Sequence, residues 1–160
     1  MARAPAPTST GSVRSMDAVP ALLTDIDHVG IAVRDLDAAV AWYGRTFGAS
    51  VARRERLDSD GVDEALLAVG PSFIQLLTPF TDDSPLARHL ERRGEGIHHV
   101  GYRVADCGAA LTSVREAGAR LVDEHPRTGS RGTTVAFLHP TGAFGTLIEL
   151  VEVPVQPRRD

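Results

Sequence analysis

The chain has 160 residues, 42% apolar and 24% charged, with a formal net charge of -4 at neutral pH. That is enough for one domain with a real core, but it lacks the clustered basic charge of a nucleic-acid binder and any apolar run long enough to span a bilayer. The single cysteine, Cys107, has no partner within the chain, so a reducing, cytoplasmic setting is the default expectation.

Residues 1–20 are rich in Ala, Pro, Ser and Thr, lack periodicity and read as a disordered tail. They contain no apolar stretch of the secretory kind, Asp17 argues against a transit peptide, and Met16 is an alternative start. From residue 26 to 33 the pattern alternates: His28, Gly30 and Ala32 fall on one face, Val29, Ile31 and Val33 on the other. Asp35 is a good N-cap for a helix carrying Leu36, Ala39, Val40, Tyr43 and Phe47, which Gly48 ends. Strands are expected at 51–57, charged and suited to an edge, at 62–69, and at 73–78, with turns at 58–61 and 70–71. Ser84-Pro85 opens a linker helix through Arg93. A strand at 97–104 puts His99 and Gly101 on one face, and Asp106 caps a helix that Gly118 ends. Further strands are expected at 120–123, 133–138 and 146–153, and a polar tail at 155–160.

The chain contains one unit twice. I-D-H-V-G-I-A-V-R-D-L-D-A-A at 26–39 aligns without a gap on I-H-H-V-G-Y-R-V-A-D-C-G-A-A at 97–110, pairing His28 with His99, Gly30 with Gly101 and Asp35 with Asp106. The expected fold is α+β: two tandem βαβββ modules, about 24–79 and 96–154, forming an open barrel-like mixed sheet around a cleft. The last strands of the modules repeat as well. Phe73-Ile74-Gln75-Leu76-Leu77 and Leu147-Ile148-Glu149-Leu150-Val151 each set one polar side chain in an apolar frame. A polar group buried without a partner costs about 1–3 kcal/mol, and a buried carboxylate more. Any one of His28, Gln75, His99 and Glu149 has an ordinary explanation as a satisfied core or sheet-face residue. Four of them at repeat-equivalent positions favour a mixed N/O site for one divalent ion, with Co, Mn, Ni, Zn or Mg as candidates.

The doubled unit, together with D-G-V-D-E-A-L-L (60–67), D-D-S-P-L-A-R-H-L (82–90), G-E-G-I-H-H-V (94–100), V-A-F-L-H-P (135–140) and G-T-L-I-E-L (145–150), resembles the vicinal oxygen chelate superfamily. Within it the likeness is to the branch that epimerises methylmalonyl thioesters, and it covers about residues 24–154. The resemblance implies metal ligands at His28, Gln75, His99 and Glu149, and acid/base carboxylates at Glu64 and Glu149. It also implies an acyl-CoA substrate whose enolate is stabilised by the ion, and a homodimer. Strand phase and repeat register select His99 over His98, which is left to the helix side or the rim, and His139 is left to loop structure. Neighbouring activities on the same fold are a glyoxalase-type lyase acting on a glutathione hemithioacetal, an extradiol dioxygenase, and a metal-free drug-sequestering protein. A complete ligand set together with Glu64 speaks against the last.

Overall fold

The computed structural model describes residues 21–155; the tails expected at 1–20 and 155–160 lie outside the described residues except for Val155. The first module runs β1 (Asp25–Ala32), α1 (Leu36–Phe47), β2 (Val51–Leu57), β3 (Val62–Val69) and β4 (Ser72–Pro79). After α2 (Pro85–Arg93), the second runs β5 (Gly96–Arg103), α3 (Cys107–Glu116), β6 (Arg127–Thr128), a 3-10 turn at Ser130–Gly132, β7 (Thr134–Leu138) and β8 (Ile148–Glu152).

The helices start where the short polar residues dictate. The carboxylates of Asp35 and Asp106 accept hydrogen bonds from the Ala38 and Ala109 amides at 2.9 and 2.8 Å, repeat-equivalent caps on α1 and α3. Ser84 caps α2 in the same way, with Pro85 in its first turn. Gly48, at φ 65°, supplies the left-handed residue that ends α1.

All strands form one sheet in the order β2-β3-β4-β1-β5-β8-β7-β6. β1 and β5 pair antiparallel at its centre, and each is flanked by a parallel neighbour, β4 or β8. The order therefore reads alike outward from the central pair, as expected of two copies of one unit. β2 lies at an edge and carries Arg53, Arg54, Glu55 and Arg56, charges that blunt further strand addition.

The expected strand at 120–123 does not form. It is reduced to a single bridge between Leu121 and Leu138. The Val122 and Asp123 amides both donate to the Phe137 carbonyl, and the Asp123 carboxylate accepts from the Phe137 amide at 2.9 Å. A side chain thus takes the place of a backbone acceptor, and the ladder stops. The two-residue β6 occupies that edge instead.

α1 packs outside the first module over Val33, Leu67 and Leu76, and α3 packs outside the second over Val104, Leu138 and Leu150. α2 does something different. Its Leu86 and Leu90 join Ala32, Val62 and Leu77, and Ala32 and Leu77 share the strand phase of His28 and Gln75. The linker helix therefore closes one end of the concave face. No helix among the described residues is long and apolar enough to cross a membrane.

Candidate active site

Five neighbouring strands, β3, β4, β1, β5 and β8, each bring one polar residue to the concave face: Glu64, Gln75, His28, His99 and Glu149, all buried. The ladders explain how they fit. Gly30 lies between Gln75 and His99, and Gly101 lies between His28 and Glu149. Each row places a residue without a side chain between two donors.

His28 Nε2 lies 2.8 Å from Glu149 Oε2 and 2.9 Å from His99 Nε2, and His99 Nε2 lies 3.2 Å from the same Glu149 oxygen. One ligand atom from each of the three residues falls within 4.8 Å of the others. Gln75 Nε2 donates to Glu64 Oε2 at 2.6 Å, while Gln75 Oε1 is buried without a hydrogen-bond partner among the described residues. Buried acceptors are seldom left so. An orphaned carbonyl oxygen on the strand next to His28 fits a divalent cation as its missing partner, and an N/O set without thiolate suits a hard or borderline ion.

Electrostatics agree with that fit. Burial opposes protonation of His28, but hydrogen bonds to Asp27 and Glu149 raise its pKa to about 9. Burial would raise the Glu149 carboxyl, yet His28 and His99 hold it well below the usual carboxylate range. The cluster favours a positive charge at its centre, and the proton on His28 supplies one.

Glu64 is 1% exposed. It accepts hydrogen bonds from Gln75 Nε2 and from Ser130 Oγ, and burial above all pushes its pKa up. The two carboxylates proposed for acid/base work therefore sit in environments that move them in opposite directions, the usual mark of a divided role.

Two outer residues complete the picture, and both come from irregularities in the β1–β5 ladder. The register slips by one residue at Asp27 and again at His98. Each slip lets the residue before a candidate ligand histidine turn back onto it: Asp27 Oδ2 accepts from His28 Nδ1 at 2.8 Å, and His98 Nδ1 lies 2.9 Å from His99 Nδ1. Both histidines thus have Nδ1 engaged and turn Nε2 toward Glu149 and each other. His98, expected on the helix side or at the rim, lines the same cavity as His99, with its ring 4.7 Å from that of His89 on α2. Asp27 further accepts from Arg103 Nε at 2.9 Å and Arg131 Nη2 at 2.5 Å, and these partners hold its pKa at about 2 despite burial. Ser130 and Arg131 are adjacent in one turn, so a single segment of the second module touches both Glu64 and the support of His28. His139 accepts the Thr141 amide at 3.0 Å, a loop contact. Ser130, Asp27 and Arg131 were not expected as site residues; the only sequence hint was the glycine-flanked T-G-S-R-G at 128–132.

Gln75, His99 and Glu149 open into a cavity of about 190 Å³, lined also by Leu57, Val62, Leu77, Leu86 and Ser130, while Glu64 borders a separate groove. Residues 27–137 match the family described as the Glyoxalase/Bleomycin resistance protein/Dioxygenase superfamily. The chain is 41% identical over 130 residues to the ethylmalonyl-CoA/methylmalonyl-CoA epimerase of Cereibacter sphaeroides, covering 80% of this chain and 97% of that protein. It is 34% identical over 154 residues to the mitochondrial methylmalonyl-CoA epimerase of Homo sapiens, covering 92% and 88%. The crystal structure of methylmalonyl-CoA epimerase from Mycobacterium tuberculosis superposes with a TM-score of 0.81 at 43% identity, over 85% of this chain and 93% of that one. A methylmalonyl-CoA epimerase in complex with methylmalonyl-CoA and NH4+ gives a TM-score of 0.81 at 41% identity, over 83% and 96%.

Proposed function

Because the chain belongs to the glyoxalase/bleomycin resistance superfamily, and within it to the methylmalonyl-CoA epimerases, we propose that it inverts the α-carbon of methylmalonyl-CoA by proton transfer between Glu64 and Glu149. The observation that carries this reading is the placement of two buried carboxylates on strands at either end of one polar row, with opposite pKa displacements.

Glu64 is the base toward one face of the substrate. Each of its oxygens accepts one hydrogen bond here, and a carboxylate oxygen has a second lone pair with which to take a proton from carbon. Burial raises its affinity for that proton. Ser130 and Gln75 fix its orientation, and Gln75 donates to it through Nε2, which leaves Oε1 for the ion. Each turnover starts with one of the two glutamates ionised and the other protonated: Glu64 takes the proton from one face, a protonated Glu149 on the far side gives its own to the opposite face, and the reverse reaction exchanges the roles. His28, Gln75, His99 and Glu149 would hold one divalent ion, which supplies Lewis acidity toward the thioester and carboxylate oxygens. Asp27 and His98 keep the two imidazoles presenting Nε2. The apolar lining excludes water from the reacting carbon and strengthens every electrostatic contact inside.

The test is incubation of one epimer of methylmalonyl-CoA in deuterated water, with metal-stripped protein and with protein restored one divalent ion at a time. Inversion with α-deuteration that depends on the ion is expected. Retention of configuration in every case, or turnover only of a glutathione hemithioacetal, would remove this assignment.

A further inference from the structure

The cavity holds about 190 Å³, room for a compact acyl head and not for a whole coenzyme. Where the remainder would run is written on α2. Pro85, Arg88, His89, Arg92 and Arg93 recur at i, i+3, i+4, i+7 and i+8, one stripe of the helix. The same five residues with His98 line a groove that shares Pro85 and His98 with the acyl cavity. Beyond it, Arg93 also lines a second groove with Pro140, Thr141, Gly142 and Phe144. The path is continuous from the cavity mouth, along about 12 Å of helix axis, to the 140–145 loop.

Its chemistry is one-sided. Among the described residues neither Arg92 nor Arg93 makes an ion pair or a side-chain hydrogen bond, whereas Arg88 is held by the Asp83 carbonyl. Arg88 and Arg92 stand at i,i+4, a like-charge spacing that costs an isolated helix stability. The acidic residue of the helix, Glu91, lies off the stripe. At the far end Phe144 is fully exposed and held at φ 54°, an uncommon backbone state for a bulky residue. Unpaired arginines followed by a bare aromatic ring match phosphates followed by a purine.

We propose that this groove is the subsite for a 3'-phosphorylated adenosine diphosphate arm, with Arg92 and Arg93 on the phosphates and Phe144 against the adenine. The inference rests on the acyl-CoA reading above and extends it beyond the reacting head. The arm leaves the cavity between Pro85 and His98, follows the arginine stripe and ends on the 140–145 loop.

The experiment uses the full-length protein and its Arg92→Ala/Arg93→Ala and Phe144→Ala variants. All three residues are exposed, so the fold is not at stake. Calorimetry with 3',5'-ADP, which lacks the acyl head, should give salt-sensitive binding that weakens roughly tenfold or more in the double-arginine variant, the loss of about one charge-assisted contact or more. It should weaken several-fold in Phe144→Ala. In kinetics, the preference in kcat/KM for the coenzyme A thioester over the N-acetylcysteamine thioester should shrink by about tenfold in the double variant. Equal 3',5'-ADP affinity in wild type and variants, or an undiminished preference, overturns the subsite. Failure of the wild type to epimerise either thioester would instead overturn the acyl-CoA reading, while the nucleotide titration still decides the groove.

Discussion

Gly101 pairs with His28 across the β1–β5 ladder, and a Cβ built on it would stand 2.4 Å from the imidazole Cε1. Gly30 stands in the same relation to His99, at 2.3 Å. Neither glycine needs a left-handed backbone, so alanine would be excluded by the facing ring alone. Gly30→Ala and Gly101→Ala are each expected to displace a ligand histidine, at a cost of about 1–3 kcal/mol from overpacking. Metal stoichiometry by calorimetry and thermal unfolding check this. Variants with wild-type metal content would show that the rings can move aside.

Glu64→Gln should keep the metal ligands in place while lowering epimerisation by roughly two to four orders of magnitude, the range for loss of a general base. Stability should move the other way. Burial raises the Glu64 pKa in the folded state, so the ionised form opposes folding once pH exceeds that raised value, and the opposition fades as pH falls and the carboxyl is protonated. In metal-free protein the glutamine variant should therefore be the more stable at neutral pH, with the gap closing toward acid. Denaturant titrations at several pH values measure it; a gap that widens toward acid contradicts the assignment.

His99→Ala should lower metal affinity far more than His98→Ala, because only His99 offers Nε2 to the cluster. His98→Ala and Asp27→Asn should still lose about 10–100-fold, the usual effect of removing a partner that orients a ligand. Competition titrations with a metal indicator give the order, and a larger loss for His98→Ala than for His99→Ala would reverse the register.

Cys107 is buried between α3 and β8, and burial, then Glu152 and Asp106, push its thiol pKa to about 11. A disulfide reagent at pH 8 should react with it slowly in folded protein and at once in denaturant. The sign for stability follows from the raised value. The folded state favours the neutral thiol, so this contribution is intact below the unfolded value of 9.0 and is lost as pH rises toward about 11. Rapid labelling of native protein at pH 8 would contradict this environment.

Much of the centre is legible in the chain because it rests on two strong periodicities. Strand alternation puts His28 and Gly30 on one side, and the repeat transfers that phase to His99 and Gly101. The apolar frames around Gln75 and Glu149 mark lone polar residues in buried strands. Glu64 is different: flanked by Asp63 and Ala65, it reads as an ordinary surface carboxylate, and only the family likeness raises it. Asp27 and His98 are hidden by ladder slips, since alternation assigns each to the face opposite its neighbour. Ser130 and Arg131 reach the first module through a 3-10 turn in which Arg131 takes φ 59°, a geometry no local pattern announces. The absent strand at 120–123 has the same origin, a side-chain carboxylate substituting for main chain.

The mirrored strand order has a final consequence for handedness. Glu149 pairs with Phe137 as Gln75 pairs with Leu66, so the counterpart of Glu64, two residues earlier on its strand, is Val135. Two separate and identical polypeptides could only repeat one residue at both places. Joining the halves in a single strand of peptide lets glutamate replace valine on one flank and glutamine on the other. A planar carbon caught between those flanks meets a chemically different neighbour on each side.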